Sequence, residues 1–372
     1  MKILGIETSC DETGAAVIEN GTKILSSVTA TSAGIHARTG GVIPEDAARK
    51  QIQLIIPVIT LALEESGLSN KDIDVIAITV GPGLIGSLLV GVETAKTLSY
   101  LWNKPLVPVN HLVGHIYANW LTTENLPKFP ALVLVVSGGH TDLVLLKNHG
   151  KITYIGGTRD DAAGEAFDKT ARLLGLPYPG GPNLSKLAQD FLDKNPKTKL
   201  DLFPRPMTKS QGSLMLTEDN FDWSFSGLKT AVLKTVSGLV ENGSNLKLAD
   251  YEIISNSPQV QNQKTKIAAE VQEAIVDSLV IKSLKAIDKY KPQSFLLAGG
   301  VAANSRLREK LRSGMVHQSM HHSGQLAHNL LHIPDIKLCT DNAAYIGACA
   351  HFNYKPVSWQ KINANPELTI TD

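Results

Sequence analysis

One local pattern occurs twice and sets most of the fold. Lys2-Ile3-Leu4-Gly5-Ile6-Glu7 reads as a strand, Thr8–Gly14 as turn chemistry and Ala15–Glu19 as a returning strand, after which Asn20-Gly21 makes a tight turn into Lys23–Val28. The same order recurs at Ala131–Val136, Ser137–Thr141 and Asp142–Lys147. Two strand–turn–strand units, each heading about half the chain, predict an α/β protein of two duplicated halves facing each other across a cleft. At 372 residues and 43% hydrophobic content the chain is large enough for two cores. The halves are expected at 1–128 and 129–355, joined near Pro127–Pro130, with a polar tail at 356–372 expected to be peripheral.

The elements between these units follow from periodicity and breakers. Gly40-Gly41 marks a loop, and a helix is predicted from Pro44–Glu45 through Leu63 with Pro57 inside it. Asp74–Val80 is a buried strand. The glycine-rich Gly81–Ser87 then opens the helix Leu88–Trp102, as an anion site or as close packing; no Gly-Lys-Ser/Thr closes it, so it is not a P-loop. Pro105–Val109 is a short strand. Asp160–Thr170 carries Asp161, Glu165 and Asp168 at helical spacing. Residues 194–220 read as a polar excursion, Phe225–Thr230 leads into a helix, and a long helix spans about Ile267 to Tyr290. Ser294–Ala298 is a strand before a second glycine turn, Gly299–Ser305. Lys337–Cys339 reads as a strand, and Thr340-Asp341-Asn342 caps a final helix, Ala343–His351.

Several of these stretches carry chemistry. His111 and His115 stand four apart, which puts two imidazoles on one helix face as half of a metal site. Asp341 can point into the same cleft. Asp11 and Glu12 lie in the first turn, placed for acid–base work or for orienting a water or metal. Ser137-Gly138-Gly139-His140 is a turn whose backbone can approach a ligand closely. Asn304 offers an amide to a base edge or a ribose hydroxyl. His317, His321, His322, His328 and His332 form a histidine-rich stretch at 315–332, read as a surface insertion. Net charge is +1, so a nucleic-acid partner has no global basic field to bind. Three cysteines form no disulfide framework, and no run approaches the roughly 18 apolar residues of a membrane span; both fit a reducing cytoplasm.

Together the motifs resemble one family along nearly the whole chain. They are Gly5–Thr13, Gly40–Glu45, Asn110–His115, Val136–Thr141, Ala163–Lys169, Tyr178–Pro182, Phe225–Thr230, Gly299–Asn304 and Cys339–Ala344. They resemble the bacterial TsaD family, the tRNA N6-adenosine threonylcarbamoyltransferases once described as glycoproteases. The resemblance implies the ASKHA fold of actin, Hsp70 and sugar kinases, with two RNase H-like halves around a central cleft. It also implies transfer of threonylcarbamoyl from threonylcarbamoyl-adenylate to N6 of the tRNA adenosine just 3′ of the anticodon (position 37). By the family pattern His111, His115 and Asp341 hold one divalent metal, Fe2+ with Zn2+ as the alternative. Val135, Val136, Ser137, Gly138, Gly139, Asp168, Gly181 and Asn304 contact the adenylate. Asp11 or Glu12 is the candidate for deprotonating or orienting the amine. The implied partners are tRNA, a TsaB-like ASKHA subunit and a TsaE-like P-loop ATPase, with no membrane. Gln51, Ala48 and Ser185 depart from the usual family residues.

Two other readings compete. An ASKHA phosphotransferase would hold Mg2+ through oxygen ligands and has no use for the histidine pair. A non-catalytic scaffold subunit has no need of intact glycine turns, histidines and Asp341 together.

Overall fold

The computed structural model describes the chain except residues 32–42, 122–124, 207–219, 241–254 and 322–329, and the side chains of 318–321. Its elements run β1 (Lys2–Glu7), β2 (Glu12–Glu19), β3 (Lys23–Thr31), α1 (Pro44–Ser66), β4 (Val75–Gly81), α2 (Ile85–Trp102), β5 (Leu106–Asn110) and α3 (His111–Tyr117). They continue with β6 (Ala131–Val136), β7 (Thr141–Asn148), β8 (Lys151–Gly157), α4 (Ala163–Leu173), α5 (Gly180–Lys194), α6 (Ser226–Gly238) and α7 (Pro258–Tyr290). The last are β9 (Ser294–Ala298), α8 (Ser305–His321), β10 (Leu331–His332) and α9 (Ala343–Phe352).

Each half builds one five-stranded sheet, ordered β3-β2-β1-β4-β5 and β10-β9-β6-β7-β8. Read from either end these are the same topology. An antiparallel three-strand meander comes first, and two strands are then added parallel to its first strand. The fold is therefore the duplicated α/β architecture of the ASKHA class. β1, β4, β6 and β9 read as continuous apolar runs because they are central and covered on both faces.

Three apolar clusters make the layers. α1 and α2 cover one face of the first sheet, through residues such as Ile59 and Val92. α4, α6 and α7 cover one face of the second, through Phe167, Val232 and Leu279. Between the sheets a third cluster joins Ile3 and Val109 to Val133 and Leu296 through Leu112 and Ile116 of α3 and Ala344 and Ile346 of α9. α3 and α9 occupy equivalent places, each following the fifth strand of its sheet. The seam between the halves is thus built from a matched pair of helices.

Some boundaries differ from expectation. β2 begins at Glu12, so the first turn is only Thr8–Asp11. α7 starts at Pro258, nine residues before the expected Ile267. Ile336–Leu338 is a 3-10 turn, not a strand, and the fifth strand of the second sheet is Leu331–His332. The histidine-rich stretch is accordingly not all at the surface. His317 belongs to α8 and His332 is buried in β10, while His322 and His328 lie outside the described residues, as do the Gly40-Gly41 loop and residues 207–219 of the 194–220 excursion.

The tail is not peripheral. Val357 pairs with Leu106, the Asn365 amide donates to the Val80 carbonyl (2.7 Å), and Ile362 and Ile370 are buried. Gly81, at φ 150°, exists for this contact: a β-carbon there would lie 1.8 Å from the Asn365 carbonyl oxygen. Gly83 likewise admits the Ser9 carbonyl. Close approach thus accounts for the two glycines that open this turn. Because Ile370 closes the apolar seam, Ile370→Ala should cost roughly 2–4 kcal/mol in denaturant unfolding. An unchanged midpoint would mean that the tail does not hold the seam.

Candidate metal centre and cleft

The centre forms where α3 and α9 begin. Asn110 caps α3, its side-chain oxygen accepting from the amides of Leu112 and Val113 at 3.0 and 3.4 Å. Asn342 caps α9 in the same way, accepting from Ala344 and Tyr345 at 3.1 and 3.3 Å. His111 is the first residue of α3, His115 lies one turn on, and Asp341 immediately precedes the α9 cap. Gly114 lets the helices touch, since a β-carbon there would stand 2.8 Å from Ile346 and 3.0 Å from the Tyr345 ring.

One donor atom from each of His111, His115 and Asp341 lies within 4.8 Å of the others. The Nε2 atoms of His111 and His115 stand 3.6 and 3.3 Å from the same Asp341 oxygen. His115 is buried, its Nε2 meets the Asp341 carboxylate and its Nδ1 has no hydrogen-bond partner among the described residues, a buried arrangement that a cation shared with Asp341 would stabilise. His111 is oriented from behind. Its Nδ1 lies 3.0 Å from Glu7 Oε2 and 3.1 Å from Ser9 Oγ, which turns Nε2 towards Asp341. Glu7 is itself fully buried and accepts from Thr79 Oγ1 (2.7 Å) and the Ser9 amide (2.5 Å). Two imidazoles and one carboxylate, with a carboxylate behind one imidazole, form a donor set that fits a divalent transition metal and leaves positions open. Among the described residues no other such cluster occurs.

The electrostatics agree. Burial alone would lower the His111 pKa, yet Glu7 and Asp341 outweigh it and lift it to about 9. Burial dominates at His115 and lowers it. Burial also opposes ionisation of Asp341, but the two histidines hold its carboxyl down at about 2. Glu12 is pushed up to about 10, first by burial and then by the charges of Asp341 and Asp11. A cation between the ligands would offset the Asp341 contribution. Burial, then His111 and His115, lowers His140 to about 4, so this side chain also borders the centre.

Residues 23–348 match the sequence profile described as TsaD, tRNA N6-adenosine threonylcarbamoyltransferase. The chain belongs to the TsaD family. It is 45% identical over 370 residues to the tRNA N6-adenosine threonylcarbamoyltransferase of Moorella thermoacetica, covering 99% of this chain and 97% of the relative. It is 44% identical to that of Halalkalibacterium halodurans, covering 99% and 96%. Among solved structures it is similar to the activator of the 2-hydroxyisocaproyl-CoA dehydratase from Clostridium difficile, at 14% identity and a TM-score of 0.48 over 95% of each chain. As a TsaD-family member the chain is a transferase that places threonylcarbamoyl on N6 of a tRNA adenosine.

The residues that the TsaD pattern assigns to the adenylate fall into two groups. Ser137, Gly138 and Gly139 form the β6–β7 turn, closed by the Ser137 amide donating to the His140 carbonyl (2.9 Å) and the His140 amide donating to Ser137 Oγ (3.1 Å). A β-carbon on Gly138 or Gly139 would meet nothing, so both border open space. Val135 and Val136 lead into this turn with fully buried side chains, so only their backbone can reach a ligand. Asp168 Oδ1 accepts the Gly181 amide (3.0 Å), setting a carboxylate at the start of α5. Asn304 donates to Ser185 Oγ (2.8 Å) and Gln272 Oε1 (3.1 Å) and accepts from the Leu307 amide (2.9 Å), so a ligand must compete for it.

Some residues that organise the cleft escaped the sequence reading. Glu7 and Ser9 hold His111, although nothing in a strand pattern marks Glu7 as inward-facing. Gln51, noted only as a departure, is buried with its Nε2 2.8 Å from the Glu12 carbonyl and 3.0 Å from that of Cys10, so it clamps the junction of the first turn and β2 that bears Asp11 and Glu12. Tyr178 lies between the walls, its hydroxyl pKa raised by burial and then by Asp11 and Asp168.

Metal binding separates ligands from supports. His115→Ala and Asp341→Ala should abolish binding of one divalent ion per chain, measured by elemental analysis after dialysis. Glu7→Gln should retain it with affinity weakened about 10–100-fold. Full occupancy in Asp341→Ala would remove that carboxylate from the centre.

Proposed function

We propose that the chain transfers threonylcarbamoyl from threonylcarbamoyl-adenylate to N6 of the adenosine 3′-adjacent to the anticodon, using one divalent metal held by His111, His115 and Asp341. The reading is carried by the convergence of two imidazoles and one carboxylate within 4.8 Å, near two more carboxylates where the first turn meets β2, Asp11 and Glu12. The donor is a mixed anhydride, so AMP already leaves readily. N6 forms a bond to the carbamoyl carbon, the bond from that carbon to the AMP phosphate oxygen breaks, and the amine loses a proton.

What remains for the protein is to position, neutralise charge and take the proton. A bound Fe2+ or Zn2+ supplies Lewis acidity towards the substrate oxygens. The Gly138-Gly139 turn lies where backbone amides can receive phosphate or carbonyl oxygens, and Asp168, Gly181 and Asn304 suit the nucleotide. Asp11 or Glu12 orients the amine or accepts its proton, in a turn that Gln51 holds rigid. A Mg2+ phosphotransferase is disfavoured by the two imidazoles.

A net charge of +1 supports tRNA binding that is shared with a partner. We assign this to a TsaB-like ASKHA subunit, with a TsaE-like P-loop ATPase in the cycle. Ile52 and Ile56 on α1 and Ile85 and Leu89 on α2 are exposed, giving a partner subunit an apolar face. Three free cysteines and a tRNA substrate suit the cytoplasm, and no helix among the described residues is long and apolar enough to cross a membrane.

The test is transfer of labelled threonine onto tRNA, with the adenylate-forming enzyme and partner proteins present. Wild type should label tRNA and His111→Ala should not. The double variant Asp11→Asn/Glu12→Gln should lose roughly 100-fold in kcat. Equal labelling by His111→Ala would remove the metal from the essential chemistry, and a wild-type rate in the double variant would acquit both carboxylates.

A further inference from the structure

A second space opens beside the centre and contains none of the residues assigned to the adenylate. It is a cavity of about 770 Å³ lined by Pro82, His140, Asp142, Tyr154, Leu368 and Thr371, among others. Leu112, which follows the ligand His111, also lines it, and His140 stands close enough to His111 and His115 to feel both. The cavity therefore lies against the start of the helix that carries His111 and His115. Asp168, Gly181 and Asn304 border the cleft elsewhere, on α4, α5 and the start of α8. Acyl transfer brings nucleophile and leaving group to one carbon from different sides. If the nucleotide of the donor occupies the α4–α5 side, this cavity offers a separate space for the nucleophile.

Its walls are held in register with the metal helix. Asn110, whose side-chain oxygen caps α3, donates through Nδ2 to the Thr369 carbonyl (2.7 Å). Thr369 is tied in turn to Asp372, with its amide donating at 2.7 Å and its hydroxyl at 2.9 Å. The opposite wall is the β7–β8 hairpin. A β-carbon on Gly157 would lie 2.2 Å from the Tyr154 hydroxyl and 2.7 Å from Asp142 Oδ1, so ring and carboxylate sit side by side with no room for a larger residue between them. Tyr154 is half-exposed, and Pro82 and Leu368 add apolar surface. A flat aromatic face with polar groups at one edge suits a heterocyclic base, and the volume falls in the ordinary range for a small-ligand site.

We propose that this cavity receives the acceptor adenine nucleoside of the tRNA, flipped out of its loop stack, with Tyr154 as the stacking platform and residues 366–371 as the far wall. Flipping brings N6 to the centre, which no stacked base can reach. The inference rests on the transfer reading above.

The experiment uses the full chain with its partner proteins and varies tRNA and adenylate separately. Tyr154→Ala should lower kcat/KM for tRNA roughly ten-fold, the scale of one base–aromatic stack, while leaving KM for the adenylate unchanged. Tyr154→Phe keeps the ring and should restore the rate. Thr371→Trp, made at an exposed position, should fill the cavity and reproduce the tRNA defect. Unchanged kcat/KM for tRNA in both Tyr154→Ala and Thr371→Trp would overturn the proposal, as would a raised KM for the adenylate instead. Wild type that transfers no label would overturn the function itself, so the two failures are distinct.

Discussion

The structure depends on the meeting of two helix starts. α3 and α9 are equivalent elements of duplicated halves, and each begins with an asparagine that caps its first amides. Packed together through Gly114, they bring His111, His115 and Asp341 to one point in an apolar seam. Burying two imidazoles among carboxylates is costly unless their charges and lone pairs are matched. Glu7 matches one ring from behind; the other ring meets the Asp341 carboxylate, a pairing that a shared cation would complete.

Everything else in the cleft is arranged around that point. β1 ends at Glu7 and hands the chain to Ser9, Asp11 and Glu12; Gln51 clamps the carbonyls of this turn, and Gly83 lets the turn pack against Ser9. The duplicated turn in the second half, Ser137–Thr141, arrives at the same place and carries His140. α4 docks against it so closely that a β-carbon on Gly164 would stand 2.5 Å from the Ser137 carbonyl oxygen. The two halves thus supply different chemistry from the same topology: carboxylates from the first turn, open glycines from the second. The tail completes the enclosure by pairing with β5 and bonding to the asparagine that caps α3.

Much of this was legible in the sequence because it is local. The repeated strand–turn–strand pattern revealed the duplication, and the four-residue spacing put His111 and His115 on one helix. Thr340-Asp341-Asn342 before a run of small residues marked the start of α9. What was not legible depends on partners distant in sequence. Glu7 looked like the polar end of a strand until Thr79 and His111, 72 and 104 residues away, were seen to hold it. The tail looked peripheral because backbone groups and two isolated isoleucines secure it, and neither gives a periodic signal. The polar first turns of α7 hid its start at Pro258, and β10 is two residues long, too short to show a period.

The central claim is that two imidazoles and one carboxylate from adjoining helix starts bind a metal. X-ray absorption at the metal edge of the purified protein tests it most directly, because Cys10 lies in the neighbouring turn and would change the scattering if it bound. The account predicts a first shell of nitrogen and oxygen at about 2.0–2.2 Å that includes two imidazoles. A sulfur at about 2.3 Å, or a shell without imidazole, would contradict it.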